Sequence, residues 1–292
     1  MNHTLMPDQG QLYIVATPIG NLKDITYRAV EILKIVDVVY AEDTRQTRKL
    51  LEHYGLKQKI ISCHEHNESA RVSEVQKYLR EGLSVALVSD AGTPLISDPG
   101  FRLVTDIKAL GFRVTPIPGA CALISALSVA GLPSDRFQFC GFLPSKSPNR
   151  KKIYEGIKSY TGTTIFYESV HRVLASIKDL NEVLGRDRQV VLAKELTKQY
   201  ETVIHGSAIE LLNWLEGNPD KIRGEYVLLI RGEVSGESSE ENTVATTKLL
   251  TTLLAVLPLK QAVKTACEIS GKKKNSLYEL ALGLKDEMKL GK

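Results

Sequence analysis

Short apolar, β-branched runs alternate with longer amphipathic segments over the first part of the chain. This alternation is typical of βα units on a largely parallel sheet. The predicted strands are Gln11–Ala16, Val36–Ala41, Lys59–Ser62, Ser84–Ser89 and Arg113–Pro116. The predicted helices are Thr26–Ile35, Asp43–Tyr54, Glu68–Arg80 and Phe101–Leu110, with Thr26 and Asp43 as N-caps. The pattern therefore predicts an N-terminal α/β domain over residues 1–132.

The pattern changes after Gly131-Leu132-Pro133, where strands are separated by helices of unequal length. The predicted strands here are Gln138–Phe142, Thr163–Tyr167, Arg188–Ala193, Thr202–His205 and Glu225–Arg231. The segments around Glu201 and Tyr226 alternate as half-exposed antiparallel strands do. We therefore expect a second, α+β domain with a mixed sheet over residues 133–232.

Residues 233–245 are small, polar and acidic, and this composition indicates a linker. Beyond it, leucines at helical spacing predict a helix that Pro258 ends, a second helix over Lys260–Ile269, and a third helix after Gly271. A helix, a short glycine-bearing turn and another helix form the helix-turn-helix pattern. Residues 246–292 are thus predicted to form a small helical tail domain.

Composition limits the class of protein. The chain has 292 residues, of which 43% are hydrophobic and 25% charged, as in ordinary folded proteins. A polar N-terminus and the lack of a long apolar run predict a cytoplasmic protein without a membrane partner. Four widely separated cysteines favour neither a disulfide framework nor a zinc site, so no metal is expected. The net charge is +4, and the tail contributes nine lysines against four acidic residues.

Three loops rich in glycine and proline follow predicted strands, where ligands of open α/β sheets bind. They are Thr17–Leu22, Ser89–Gly100 and Pro116–Ala122. The first loop lacks the glycine spacings of dinucleotide-binding and P-loop sites, and taken alone it favours an ordinary strand-to-helix turn. The second is long and restricted, which favours a binding loop. The third loop opens a helix of small residues. It predicts either that the N–H groups of this helix face a ligand or that the helix packs tightly against the sheet.

Charged residues gather at three further strand ends: Glu42-Asp43-Thr44-Arg45, Glu168 with His171 and Arg172, and Lys194-Glu195 with Lys198. Each cluster is compatible with a helix cap or a surface ion pair as well as with a site. A general base for a hydroxyl substrate would come from such groups. The candidates are Asp43, Asp90, Glu168, Lys194 and Glu195, and the sequence does not choose among them.

Six segments in order resemble the ribosomal-RNA-methylating members of the tetrapyrrole-methylase-like family. They are LYIVATPIGNLKDIT from Leu12, AEDTRQTRKLL from Ala41, LVSDAGTPLISDPG from Leu87, PIPGACALISALSVAGLPSDRF from Pro116, IFYESVHR from Ile165 and AKELTKQYET from Ala193. The resemblance implies two α/β domains that hold S-adenosylmethionine in a cleft. It further implies 2′-O-methylation of a cytidine ribose in 16S rRNA of the small ribosomal subunit, and a homodimer.

The resemblance also implies the contacts of the cofactor. It places S-adenosylmethionine against residues of all three loops and of the second domain: Pro18, Gly20, Ala91, Gly92, Thr93, Cys121, Ala122, Tyr167, Glu168, Glu225 and Tyr226. One departure concerns the second loop, where small-molecule members of the family have Gly-Asp-Pro and this chain has Gly92-Thr93-Pro94. This departure argues against a tetrapyrrole substrate.

Two other functions stay open at this point. One is methylation of a small tetrapyrrole, because a fold does not fix its substrate. The other is a ligand-sensing regulator that binds DNA through the tail. The tail has no arginine, the residue that most often reads guanine, so phosphate contact by lysines is the better interpretation. The predicted RNA contacts are Arg45, Lys272, Lys273 and Lys274.

Overall fold

Five parallel strands form the first sheet in the order β3-β2-β4-β1-β5. The strands are β1 (Leu12–Val15), β2 (Val38–Ala41), β3 (Lys59–Ser62), β4 (Val85–Val88) and β5 (Val114–Ile117). This computed structural model describes residues 10–234, 240–271 and 274–290, without the side chains of 221, 240–245 and 286–290. The prediction of a mostly parallel N-terminal sheet is confirmed. Strand order reverses around β1, and ligands of such sheets bind at the carboxyl ends beside that point.

Helices cover both faces of this sheet. They are α1 (Tyr27–Ile35), α2 (Thr44–His53), α3 (Glu68–Arg80), α4 (Phe101–Ala109) and α5 (Ala122–Val129). Leu33 and Leu51 bury one face with the strands, and Leu79 and Ile107 bury the other. The Thr26 and Asp43 side chains accept hydrogen bonds from the first turns of α1 and α2, so both predicted N-caps are confirmed.

The second sheet has the order β6-β7-β10-β8-β9. Its strands are β6 (Phe137–Phe142), β7 (Thr163–Ser169), β8 (Gln189–Lys194), β9 (Thr202–Ser207) and β10 (Glu225–Ile230). Strands β6 and β7 are parallel and the other pairs are antiparallel, which confirms the mixed sheet. The prediction of a half-exposed strand around Tyr226 is wrong, because β10 is the central strand and five of its six residues are buried. The edge strand β9 is half-exposed as predicted.

Three helices pack on one face of the second sheet: α6 (Ser147–Gly156), α7 (Val173–Leu184) and α8 (Ala208–Gly217). The opposite face packs against α5, through Leu123, Ala126 and Leu127. A helix of the first half of the chain therefore packs on the second sheet. Both sheets belong to one compact unit, Met1–Glu233.

A second compact unit comprises Val234–Lys292. Its described residues form α9 (Glu240–Leu254), α10 (Leu259–Ser270) and α11 (Lys274–Leu290). Leu250, Val263, Ala266 and Leu277 form its core. Gly271 ends α10 in the left-handed conformation, at φ 67°, which is the usual end of a helix before a tight turn. The predicted three-helix tail is confirmed. Within the described residues, no helix is both long and apolar enough to span a membrane.

Candidate functional site

A cleft of about 570 Å³ opens where the loops after β1, β2, β4 and β5 meet the second sheet. Its volume is that of an ordinary small-molecule site. The lining is Ile19, Glu42, Asp90, Ala91, Gly92, Thr93, Ile96, Ser97, Asp98, Cys121, Ala122, Phe142, Tyr167, Glu168, Ser169, Val170, Ala193, Leu196, Lys198, Gly224, Glu225, Tyr226 and Val227. Both sheets therefore contribute to one site.

The three glycine- and proline-containing loops are joined by hydrogen bonds. Thr17 and Gly92 exchange both backbone hydrogen bonds, at 2.8 and 3.0 Å. The Thr93 hydroxyl donates to the carbonyl of Ala120, at 3.1 Å. Gly92 has φ 86°, a conformation that side chains disfavour. The glycine therefore permits the joint between the loops.

Backbone strain borders the cleft on both sides. Leu95 and Ser97 have φ values of 74° and 69° in the second loop. Glu195 and Thr197 have φ values of 50° and 64° in the loop after β8. Non-glycine residues in this region cost energy and concentrate at functional sites. The two loops are thus held in defined, unfavourable conformations at the cleft.

Tyr167 connects the second sheet to the N-terminus of α5. Its hydroxyl accepts a hydrogen bond from the backbone N–H of Leu123, at 3.3 Å. Burial raises the pKa of Tyr167 to about 12, and the nearby Cys121 thiol adds to this. The first turn of α5 contributes Cys121 and Ala122 to the lining. A helix N-terminus favours a negatively charged ligand group, so this end of the cleft suits a carboxylate.

Three carboxylates lie together at another part of the cleft. Burial raises the pKa of Asp98 to about 6, and the charges of Glu42 and Asp90 add to this while the Ser89 hydroxyl opposes it. The Asp98 Oδ2 atom is buried and has no hydrogen-bond partner among the described residues. Burial also raises the pKa of Glu42, with the Asp90 charge as the next cause. The arrangement supplies a proton acceptor that is active near neutral pH.

Most of the predicted cofactor contacts line this cleft. They are Ala91, Gly92, Thr93, Cys121, Ala122, Tyr167, Glu168, Glu225 and Tyr226. Pro18 and Gly20 lie outside the lining as described. A side chain at Gly20 would come within 2.5 Å of Lys198 Cγ and 3.1 Å of the Leu196 carbonyl oxygen. Gly20 therefore permits the loop after β8 to pack against the loop after β1.

The predicted base candidates are found in different environments. Asp90 lines the cleft and accepts a hydrogen bond from the Asp43 N–H, at 2.9 Å. Asp43 caps α2 and forms a two-pronged ion pair with Arg45, whose side chain is 85% exposed. The pKa of Asp43 is lowered to about 2, first by the Arg45 side-chain hydrogen bond. At that pKa, Asp43 is a weak base and serves to hold Arg45.

Two more carboxylate candidates are engaged in hydrogen bonds. The buried Glu168 carboxylate accepts from the Ser169 N–H, Arg172 Nε and the Ser176 hydroxyl. Glu195 accepts from Lys198 Nζ and from the Glu225 N–H. Lys194 is 7% exposed and, like Glu195, lies outside the described lining. Glu168 therefore lines the cleft with its carboxylate already bound to three donors, whereas Glu195 holds together the segments beside the cleft.

Sequence reasoning missed several lining residues. Asp98 and Glu42 stood inside segments that had been singled out, but neither was named as a base. A carboxylate two residues before a glycine, in a loop of this length, was the signal available for Asp98. Lys198 stood in a charged cluster that had been singled out, whereas for Phe142 the sequence carried no signal, because a bulge brings it to the cleft. Lys272 and Lys273 lie outside the described residues, and Lys274 is exposed at the first position of α11.

The described residues contain no group of three or more His, Cys, Asp or Glu side chains arranged to hold a metal ion. Among the lining residues, carboxylates are accompanied by apolar side chains and by backbone groups of the three loops. This composition suits an organic cation with an apolar part.

Comparison with known families gives two matches. A sequence profile described as Tetrapyrrole (Corrin/Porphyrin) Methylases matches residues 11–212. A second profile, described as the RsmI C-terminal HTH domain, matches residues 240–285. The two profiles cover most of the chain, and the first lies within the unit Met1–Glu233 while the second lies within the unit Val234–Lys292.

Several curated proteins are similar over almost their whole length. The ribosomal RNA small subunit methyltransferase I of Escherichia coli O157:H7 is 51% identical, over 94% of this chain and 95% of that protein. The proteins with the same name from Haemophilus influenzae and Pseudomonas aeruginosa are 47% and 48% identical. These two matches cover 94% of this chain and 96% and 97% of the respective relatives.

Solved structures share the fold at low sequence identity. Diphthine synthase aligns with a TM-score of 0.62 and 15% identity, over 77% of this chain and 91% of that chain. A uroporphyrin-III-C-methyltransferase from Thermus thermophilus aligns with a TM-score of 0.52 and 18% identity, over 76% of this chain and 94% of that chain. Each of these proteins is thus matched over nearly its full length by about three quarters of this chain.

Proposed function

We propose a function from the premise that this chain belongs to the tetrapyrrole (corrin/porphyrin) methylase family. Its relatives at 47–51% identity are named for methylation of small-subunit ribosomal RNA. The chain is an S-adenosylmethionine-dependent methyltransferase of ribosomal RNA. Its acceptor is the 2′-hydroxyl of a cytidine in 16S rRNA, within the small ribosomal subunit in the cytoplasm.

The observation that carries this proposal is the second compact unit. About three quarters of this chain aligns with nearly the whole of a small-molecule methyltransferase, and the chain has a basic three-helix unit in addition. An RNA substrate supplies a row of backbone phosphates that a lysine-rich helical unit can bind. The profile that matches this unit, over residues 240–285, is described as a C-terminal HTH domain, a motif common in nucleic-acid-binding proteins.

The lining of the cleft fits S-adenosylmethionine. Ile19, Leu196 and Val227 provide an apolar surface, and the N-terminus of α5 favours a carboxylate. Carboxylates elsewhere in the lining favour positive charge. When bound, the cofactor supplies a methyl group on a cationic sulfur that leaves as a neutral thioether. The joined loops fix the position at which a hydroxyl must approach, and such orientation supplies much of the rate.

Asp98 is our candidate for the group that accepts the hydroxyl proton. It lines the cleft, one of its oxygens has no partner among the described residues, and its raised pKa is suited to proton transfer near neutral pH. Asp43 and Glu168 are committed to Arg45 and to three donors respectively. With the cofactor bound, the Asp98 carboxylate would accept the proton that the hydroxyl loses on methylation.

We assign RNA contact to two groups of residues, neither of which takes part in methyl transfer. Arg45 extends from the first turn of α2 beside the cleft, with its guanidinium oriented by Asp43. In the second unit the lysines at positions 272–274 are assigned to phosphates.

We also propose that the protein is a homodimer, which rests on the family resemblance. Light scattering at micromolar concentration tests this, and a monomer would contradict it.

The experiment that tests the function uses purified protein, S-adenosylmethionine with a labelled methyl group, and small ribosomal subunits from cells that lack the enzyme. Digestion to nucleosides and mass spectrometry should find the label in 2′-O-methylcytidine. Label in a methylated base would change the acceptor atom but keep the enzyme class. Label absent from RNA and present in an added uroporphyrinogen would replace the proposal with the tetrapyrrole alternative.

A further inference from the structure

An exposed aromatic ring lies at the cleft without a role in holding the fold. Phe142 is 55% exposed and lines the cleft, although it ends a strand whose neighbour in the sheet is well buried. Exposing a phenylalanine costs the favourable burial of its ring. Its position beside the carboxylates and loops of the site suggests a ligand contact.

A β-bulge brings Phe142 to this side of the sheet. Phe139 pairs with Ile165 and Phe142 pairs with Tyr167, so three residues of β6 match two of β7. Side chains alternate along a strand, and without the extra residue Phe142 would face the opposite side. Gly141, at φ 68°, supplies the conformation that the bulge requires. Bulges next to active sites commonly re-aim a side chain in this way.

The same bulge turns the next residue into the core. Leu143 is 2% exposed and packs in the hydrophobic cluster between the second sheet and its three helices. The bulge therefore places Leu143 in the core and Phe142 at the cleft. Phe142 is exposed because of this geometry, and not because the end of the strand frays. Loss of the bulge would expose Leu143 and bury Phe142.

Other aromatic rings support Phe142 from behind. The centroids of the Phe142 and Tyr167 rings are 5.5 Å apart with planes at 64°, and those of Phe139 and Tyr167 are 4.8 Å apart. Edge-to-face contacts of this kind fix ring orientation. The Tyr167 hydroxyl is itself held by the Leu123 N–H. Phe142 is thus a positioned ring with one part free for contact.

A second exposed apolar side chain lines the cleft from the strained loop. Ile96 is 38% exposed and lies between Leu95 and Ser97, the two residues with positive φ. A Cβ atom at Gly141 would lie 3.8 Å from the Ser97 hydroxyl oxygen, so the strained loop adjoins the bulge. Two apolar groups thus stand at neighbouring parts of a lining that also holds carboxylates.

We propose that Phe142 stacks on the base of the nucleotide that is methylated, with Ile96 contributing apolar contact. A planar base that leaves its RNA stack is commonly bound on an aromatic side chain. Such a contact sets the position of the attached ribose relative to the cofactor. The inference rests on the proposed function, because it names how the RNA substrate of the same cleft is held.

The test compares Phe142→Leu and Phe142→Trp with the unchanged protein. Leucine retains apolar volume without an aromatic face, and tryptophan retains the face. Phe137→Leu is the matched control, since Phe137 is 41% exposed at the other end of β6 and lies outside the described lining. The measurements are kcat and KM with small ribosomal subunits, the Kd for S-adenosylmethionine, and the fluorescence of an RNA oligonucleotide that carries pyrrolocytosine.

Phe142→Leu should raise KM by roughly fivefold to a hundredfold, the range for loss of one stacked base. It should also abolish the quenching of pyrrolocytosine on binding, while Phe142→Trp and Phe137→Leu keep both near their original values. Cofactor Kd should change less than twofold. A raised cofactor Kd would assign the ring to the adenine of the cofactor instead, and an unchanged KM would overturn the inference. If the unchanged protein fails to methylate the RNA, the proposed function fails independently.

Discussion

Asp98 combines a buried carboxylate with two acidic neighbours, and both features disfavour its charged form. Replacement by asparagine keeps the shape and removes the proton acceptor. We expect Asp98→Asn to lower kcat by about a hundredfold or more, as the loss of a general base does. The Kd for S-adenosylmethionine should stay within about twofold, measured by calorimetry, if Asp98 serves proton transfer. Asp43→Asn, measured in the same way, should leave kcat within the same order of magnitude.

The raised pKa of Asp98 also makes two pH-dependent predictions. Its pKa is about 6 in the folded protein, above the ordinary 3.8, so between these values the folded state binds more protons than the unfolded state. Its contribution to stability is therefore greatest below pH 4 and is lost as the pH rises through 6. Asp98→Asn should then raise the free energy of unfolding at pH 7.5 by about 1–2 kcal/mol.

The same pKa predicts the pH dependence of activity. In the unchanged enzyme kcat/KM should fall tenfold for each pH unit below pH 6, and a flat profile would exclude Asp98 as the general base.

Substitution of Gly92 allows a test that distinguishes a loss of cofactor binding from the cost of backbone strain. Gly92 and Gly111 have nearly equal φ values, 86° and 85°, but only a side chain at Gly92 would approach its neighbours, with Ile19 Cγ2 at 3.3 Å. Alanine at either position should cost about 1 kcal/mol of stability. Only Gly92→Ala should also raise the cofactor Kd, by tenfold or more, because it disturbs the joint with Thr17. Equal cofactor binding by the two variants would remove this loop from the site.

At the scale of elements, α6 and α7 are joined by a buried ion pair. Arg150 and Asp179 have side chains 4% and 10% exposed, with Arg150 NH2 2.7 Å from Asp179 Oδ2. Arg150 also donates to the carbonyls of Pro144 and Ser145, which follow β6. Asp179→Ala should lower the free energy of unfolding by about 3–5 kcal/mol, because it leaves a buried guanidinium uncompensated.

A second ion pair between the same helices provides the control. Lys151 and Glu182 are 30% and 67% exposed, and Glu182→Ala should cost less than about 1 kcal/mol. Urea unfolding of both variants gives the comparison. Similar losses in the two would mean that burial is not what gives the Arg150 pair its importance.

The elements that sequence patterns predicted best are those with strong periodicity and side-chain caps. The predicted bounds of α3 agree with the structure, and α1 and α2 begin where Thr26 and Asp43 cap them. The error at β10 has a physical cause. Its alternation with polar Glu225 at the edge resembles an exposed strand, but burial is decided by its central place between β7 and β8. Neighbours in a sheet come from distant segments, and no local pattern encodes them.

The residues of the candidate site also differ in how well the sequence predicted them. Loops such as the one that contains Ala91, Gly92 and Thr93 are legible because unusual backbone geometry demands glycine and proline. Asp98 and Phe142 line the cleft through burial and a bulge, which depend on contacts between segments far apart in sequence. Local chemistry thus predicted the loops that line the cleft, whereas tertiary structure brought these two side chains to it.

At the scale of the whole molecule, the proposed function assigns methyl transfer and RNA attachment to different units of the chain. The cleft lies in the unit Met1–Glu233, and the lysine-rich helices lie in the unit Val234–Lys292. Lys260, Lys264 and Lys274 are exposed, and the first two are four residues apart on α10. Lys274 begins α11, where a cation opposes the helix dipole, so its position favours binding over folding.

Replacement of Lys260, Lys264 and Lys274 by glutamine should therefore weaken binding to small ribosomal subunits and flatten its dependence on salt. Each lost phosphate contact lowers the slope of log K against log salt by roughly 0.7–0.9, so three contacts account for about two to three units. The same three positions changed to arginine keep the charge and should keep the slope. The cofactor Kd should be equal in all three proteins, because the residues that line the cleft are unchanged. An unaltered slope in the glutamine variant would show that these lysines only keep the protein soluble, and RNA attachment would then have to come from the cleft-bearing unit, beginning with Arg45.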